Sequence, residues 1–76
     1  MKLRKLAKDP DSGVHGCPAV HVAADDPAVM VVQGKLLDAG TTDELHDLVA
    51  DETAVRIPTE TVIRAAERYL AERVGA

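Results

Sequence analysis

Aromatic side chains are almost absent from this sequence, which has no Trp, no Phe and a single Tyr among 76 residues. Its core must therefore be built from Val, Leu, Ile and Ala, which bury less surface per side chain than aromatic residues do. A chain of this length forms one domain and buries only about 60% of its unfolded surface. So thin a core predicts a homodimer or a permanent protein partner that adds to it.

Cysteine is equally scarce, because Cys17 is the single one in the sequence. It excludes an intrachain disulfide and favours a reducing compartment. Residues 1–8 read MKLRKLAK, and no apolar segment of a signal peptide follows them. No stretch approaches the roughly 20 apolar residues of a membrane-spanning helix. We therefore expect a cytoplasmic protein without membrane association.

The net charge of -4 is unevenly distributed along the chain. Residues 1–8 contain four basic residues and no acidic one, whereas residues 9–54 contain ten acidic residues against Lys35 alone. So acidic a middle argues against wrapping nucleic acid around the whole domain. We interpret residues 1–18 as a basic tail and a loop, and residues 19–76 as a single α+β domain.

The periodicity of apolar residues predicts three strands and two helices. Alternation favours strands at Ala19–Ala23 and Thr53–Ile57. A more continuous apolar run predicts a strand at Ala28–Gln33, which most simply forms a hairpin with Ala19–Ala23. Thr41 followed by Glu44 is the pattern of a capping box, which opens a short helix through about Val49. Apolar residues spaced by three, four, seven and eight predict a longer amphipathic helix over Thr59–Val74.

These elements predict an α+β fold, with a small, mostly antiparallel three-stranded sheet packed on the C-terminal amphipathic helix and a second short helix beside it. Met30 and Val32 are expected on the sheet face that does not meet the helix. The predicted core comprises Val20, Val22, Val29, Val31, Leu45, Leu48, Val55, Ile57, Val62, Ile63, Ala66, Tyr69 and Leu70.

Three residues of metal-ligating type lie close together in the sequence, His15, Cys17 and His21. Their spacing matches no zinc pattern with paired ligands. In an extended chain the Cα atoms of Cys17 and His21 would lie roughly 13 Å apart. A Cys–His catalytic pair would also need a third, orienting group, and the sequence marks none. These residues are weak metal candidates only, and we expect neither an enzyme nor a cofactor.

The segment AVRIPTETVIRAAERYL resembles the opening of a ribbon-helix-helix DNA-binding subunit, in which strands from two subunits pair and enter the major groove. The resemblance implies that Arg56 reads bases from the Thr53–Ile57 strand, with Lys2, Arg4 and Lys5 available to contact phosphate. The second helix that this family requires is missing here. Direct DNA binding is therefore the alternative interpretation, and an ordinary strand-to-helix connection is favoured.

A second resemblance covers residues 16–72 through the order GCPAVHVA, VMVVQGKLLD and VRIPTETVIRAAERYL. This arrangement is similar to small actinobacterial BldB-like proteins of unknown function, which accompany helix-turn-helix regulators. The resemblance implies a non-enzymatic regulatory protein that is accessory to such a regulator.

Charge and exposure suggest which residues would bind the partner. An acidic surface can meet the basic surface of a DNA-binding protein and compete with DNA for it. An uncovered apolar sheet face is a second candidate interface. The predicted partner-binding residues are Met30, Val32, Asp43, Glu44 and Asp47.

Overall fold

The computed structural model describes residues 1–10 and 18–74 of the chain, with the side chain of residue 74 outside the description. The described part contains a three-stranded sheet, a two-stranded sheet, a short helix and a C-terminal helix, which confirms the predicted α+β class. In chain order the elements are β1 (Leu3–Lys8), β2 (Ala19–Ala23), β3 (Asp26–Gln33), β4 (Lys35–Leu36), α1 (Ala39–Asp43), β5 (Val55–Arg56) and α2 (Thr59–Val74).

The larger sheet is antiparallel and has the order β1-β2-β3, with β2 in the centre. The prediction for β2 is confirmed residue for residue, and β2 and β3 form the predicted hairpin. β3 begins at Asp26, two residues before the predicted start. The side chain of Asp26 accepts a hydrogen bond of 3.3 Å from the backbone N–H of Ala28, which stabilises the chain as it leaves the turn.

The predicted basic tail is wrong for Leu3–Lys8, because these residues form β1, an edge strand paired with β2. Leu6 is only 3% exposed and belongs to the core. The basic side chains of the strand remain exposed around it. Lys and Arg tolerate such positions because their aliphatic stems lie along apolar surface while the charged groups stay in water. The basic residues of this segment led to its prediction as a tail, although the segment forms a strand.

The predicted third strand is not part of this sheet. Thr53–Ile57 contributes only the two-residue β5, which pairs antiparallel with β4 in a separate small sheet. The third strand of the larger sheet is β1, on the side of β2 away from β3. A Cβ on Gly34, just before β4, would overlap the backbone carbonyl of Arg56, so the two segments meet at a point where only glycine fits.

The short helix lies earlier than predicted and ends at Asp43 instead of continuing to Val49. Its N-cap is Asp38, whose side chain accepts a 2.7 Å hydrogen bond from the backbone N–H of Thr41. Asp is among the strongest N-cap residues, so the cap forms three residues before the Thr that was expected to provide it.

The long helix is confirmed from Thr59 to Val74, but the predicted buried face is wrong. Thr61 and Ala65 are 0% and 1% exposed and Tyr69 is half-buried, so the helix meets the sheet along this line of residues spaced by four. The predicted core residues Val62, Ile63 and Leu70 are 43%, 44% and 54% exposed. Small side chains bring the helix closest to the sheet, which explains why the line of Thr61 and Ala65 is the one that packs.

The core is correspondingly small. Val20 and Val22 are buried as predicted, together with Leu6 and Ala65, and Ile57 and Tyr69 pack against this cluster. Ala19 and Ala23 complete the buried apolar set in the described part of the chain. Val29, Val31 and Val55 are half-buried, whereas Ala66 is exposed and Leu45 and Leu48 are each 40% exposed, so these last three are not core residues.

Candidate partner-binding site

The chain between β4 and β5 is the most acidic part of the molecule. We call residues 38–52 the acidic segment; it contains six carboxylates and no Lys or Arg. The carboxylates belong to Asp38, Asp43, Glu44, Asp47, Asp51 and Glu52. All six residues are exposed, so their charges act on the surroundings of the protein.

Two of these carboxylates build the segment. Asp38 caps α1, and the backbone N–H and the side chain of Thr41 hold the pKa of the Asp38 carboxyl below its usual value, with a smaller contribution from the nearby Arg56. Glu52 closes a turn: its side chain accepts a 3.2 Å hydrogen bond from the backbone N–H of Val49. The backbone N–H of Glu52 in turn donates to the carbonyl of Val49 at 3.0 Å.

The remaining carboxylates face solvent without a cation beside them. Both ion pairs that the structure describes involve Glu72, one with Arg4 and one with Arg68. Across the described residues, then, no ion pair neutralises Asp43, Glu44 or Asp47. Their charge is available to a partner, and salt will screen it because the groups are exposed.

Apolar side chains accompany this charge. Leu45 and Leu48 line an open surface depression of about 390 Å³ together with Glu44, His46, Asp47 and Glu52. Val49, which follows, is 56% exposed. An apolar centre with a polar rim is the usual anatomy of a protein–protein interface. The predicted residues Glu44 and Asp47 lie in this lining, and Asp43 ends α1 next to it.

Sequence reasoning missed Leu45 and Leu48 as surface residues because it assigned them to the core. The signal was present in the sequence, since both lie among acidic residues with no strand or long helix to carry them inward. Two Leu in a segment that cannot bury them are better explained as contact residues than as core.

The other two predicted partner-binding residues lie elsewhere. Met30 and Val32 are directly opposite Val22 and Val20 in the β2–β3 register, so all four side chains share one face of the sheet. The expectation that they point away from the helix is therefore wrong. They remain 42% and 45% exposed, because α2 packs mainly on β1 and β2. The structure thus separates Met30 and Val32 from the acidic segment.

The residues of the DNA-binding alternative do not converge on one surface. Arg56 is exposed and lies directly opposite Lys35, and both line a second depression of about 350 Å³. Arg4 is held against α2 by a 2.8 Å ion pair with Glu72. Lys5 pairs in register with His21 and therefore lies on the opposite sheet face from Arg4, while Lys2 is exposed just before β1.

Of the three weak metal candidates, His21 alone can be placed. Its Nε2 lies 3.4 Å from Oε1 of Gln33 on the neighbouring strand. His15 and Cys17 lie outside the described residues. Within residues 1–10 and 18–74, no group of three or more His, Cys, Asp or Glu side chains is arranged to hold a metal ion.

None of the helices in the described ranges has the length and apolar character that crossing a membrane requires.

Comparison with protein-family models, with curated proteins and with solved structures found no match.

Proposed function

We propose that this chain is a non-enzymatic interaction protein that docks onto a helix-turn-helix transcription regulator through its acidic segment. The observation that carries the proposal is the depression around Leu45 and Leu48, where apolar contact area lies beside carboxylates that take part in no ion pair within residues 1–10 and 18–74. The complementary surface is a basic helix that presents a few apolar side chains. A DNA-binding domain offers such a basic surface wherever it contacts phosphate.

Electrostatics define how the accessory protein would act. Six exposed carboxylates within residues 38–52 create a field that attracts a basic partner and repels DNA. By occupying the phosphate-binding surface of the regulator, the chain competes with DNA for that surface. It does so without any chemical change to the regulator. The Asp38 cap and the Glu52 turn hold the carboxylates in place, which reduces the entropy lost on docking.

The direct DNA-binding alternative has less support. A DNA-reading ribbon uses strands from two chains, whereas β5 has two residues and already pairs with β4 of its own chain. The alternative predicts a salt-dependent mobility shift of duplex DNA that disappears in Arg56→Ala. If the purified chain does not shift duplex DNA at low salt, the DNA-binding alternative is excluded.

The docking proposal is tested by titrating a purified helix-turn-helix regulator with the purified chain. The variant carries Asp43→Lys and Asp47→Lys, and its control carries Asp25→Lys and Glu60→Lys, which change the net charge equally at exposed positions elsewhere. We expect at least about a tenfold loss of affinity in the variant and less than about a twofold loss in the control. Equal affinities for the two proteins would overturn the proposal.

A second variant examines the apolar part of the same surface. Leu45→Ser with Leu48→Ser leaves every charge in place and removes the contact area of the depression. Docking is expected to weaken while its salt dependence stays unchanged, because the carboxylates remain. Full affinity in this variant would mean that only diffuse charge attraction holds the complex.

A further inference from the structure

Among residues 1–10 and 18–74, two surfaces leave large apolar side chains about half exposed. The first, the open strand, consists of Met30 and Val32 on the helix side of β3. The second, the outer ridge, consists of Ile63 and Leu70 on α2. At about 100° per residue, Ile63 and Leu70 point away from the sheet, opposite the buried Thr61. The helix is thus apolar on both its inner and its outer side.

The position of α2 explains why Met30 and Val32 on the open strand remain partly exposed. Arg64 donates a 3.4 Å hydrogen bond to the carbonyl of Lys8, and Arg68 donates a 3.4 Å bond to that of Leu6. Glu72 pairs with Arg4 further along the same strand. These contacts hold the helix along β1 and over β2, at the opposite edge of the same sheet face from β3. Within the described residues, α2 therefore packs mainly on β1 and β2, which leaves Met30 and Val32 on β3 and Ile63 and Leu70 on α2 about half exposed.

A second copy of the same chain can pack against both surfaces. A copy rotated by a two-fold axis places its outer ridge over the open strand, and its own open strand receives the outer ridge of the first molecule. The two contacts are equivalent, as in the isologous interfaces of most homodimers. The two helices then lie side by side between two sheets, at the separation of about 8–10 Å that packed helices adopt.

The surface area favours such a copy. A folded monomer of 8.1 kDa exposes about 4,500 Å². This chain exposes 5745 Å², and its radius of gyration of 13.9 Å exceeds the roughly 11 Å expected for its length. The excess is about 1,200 Å², part of which belongs to the acidic segment, and a standard interface takes about 800 Å² from each partner.

Charge also determines which surface meets the copy. Glu67 and Arg73 lie on either side of the outer ridge, so the ridge that packs on the open strand of the copy carries both signs of charge and no net charge of its own. The acidic segment carries only negative charge, and two copies of it repel each other. Self-association therefore belongs to β3 and α2, which leaves the acidic segment free for a different partner.

We propose that the chain is a two-fold homodimer in which Met30 and Val32 of each copy pack against Ile63 and Leu70 of the other. The proposal stands independently of the docking function, because it uses a different surface. It also explains why a chain whose buried apolar set, among the described residues, is half Ala can remain folded. The dimer interface adds the apolar burial that the small core lacks.

The test measures the mass in solution by sedimentation equilibrium, from micromolar to submillimolar concentration, for the wild type and single variants. The wild type is expected at twice 8.1 kDa. Val32→Asp and Leu70→Lys should each weaken the dimer at least about tenfold, since each places two charges against apolar side chains. The matched control is Leu36→Asp, at a residue 80% exposed on β4, and it should leave the dimer intact.

Mixing the two variants identifies the contact. A heterodimer of Val32→Asp with Leu70→Lys contains one Asp–Lys pair and one native apolar contact, so the mixture should regain the dimer that neither variant forms alone. Circular dichroism establishes that both variants are folded, as expected for positions 45% and 54% exposed. A monomeric wild type, a dimer that survives both substitutions, or a mixture that stays monomeric would each overturn the proposal.

Discussion

The three-stranded sheet with α2 and the acidic segment use leucine in opposite ways. In the sheet, Leu6 is 3% exposed and lies beneath the helix. In the acidic segment, Leu45 and Leu48 are each 40% exposed and surrounded by carboxylates. The same residue type thus stabilises the fold in one region and offers contact area in the other. The difference depends on whether a neighbouring element is positioned to cover the side chain.

The largest effect is expected where the helix is closest to the sheet. Ala65→Glu places a charge at a position 1% exposed, and we expect it to cost more than about 3 kcal/mol and to unfold the chain. Ala66→Glu changes the exposed neighbour and should leave the helical signal in circular dichroism intact. The opposite result would restore the helix face that the sequence predicted.

The comparison between the two regions is tested directly by truncating one leucine in each. Leu6→Ala should lower the free energy of unfolding by about 2–4 kcal/mol, because it leaves a cavity in the small core. Leu48→Ala should change it by less than about 0.5 kcal/mol, because its side chain is largely in water. Denaturant unfolding of both variants measures the difference, and equal losses would mean that the acidic segment is part of the core.

A smaller effect is expected at the junction between the regions. Gly34→Ala would drive its Cβ into the backbone carbonyl of Arg56, and we expect a loss of about 1–3 kcal/mol as β4 and β5 separate. Gly40→Ala is the control, because its Cβ would lie 3.8 Å from the Asp38 side chain, in ordinary contact. Within α1 that substitution should be neutral or slightly stabilising. Thermal unfolding of the two variants separates the outcomes.

The smallest effect concerns the ion pair between β1 and α2. The hydrogen bond from Arg4 holds the pKa of the Glu72 carboxyl below its ordinary value of 4.5, with a further contribution from Arg68. A carboxyl with a lowered folded-state pKa stabilises the fold above pH 4.5 and loses that contribution as the pH falls through its folded-state value. Glu72→Gln should therefore lower stability slightly at neutral pH and flatten the pH dependence of stability below pH 4.5.

Equilibrium unfolding as a function of pH follows this difference. The comparison variant is Glu67→Gln, which alters an exposed carboxyl of the same helix that forms none of the described ion pairs. Curves that coincide for Glu72→Gln and the wild type would show that the pair leaves acid stability unaffected.

Some elements were readable from the sequence because the local signal was strong. The spacing of apolar residues gave both ends of α2, and alternation gave β2. The face of α2 was not readable, since apolar residues occur on most of its circumference and only packing selects one line. β1 was missed because its basic residues were interpreted as a solvated tail. The predicted docking carboxylates are exposed, but Asp43 ends α1 and Glu44 and Asp47 lie beyond it instead of near the start of a helix. Their apolar neighbours were taken for core.

The ion pair between Arg4 and Glu72 joins residues separated by 68 positions in the chain. The packing of β1 on α2 can therefore form only after the helix has been synthesised. Until then the side of the sheet that α2 covers faces water. Contacts between such distant segments carry a high entropic cost of closure and slow the folding reaction. The nascent chain is accordingly exposed to aggregation and to proteases for longer than its small size suggests.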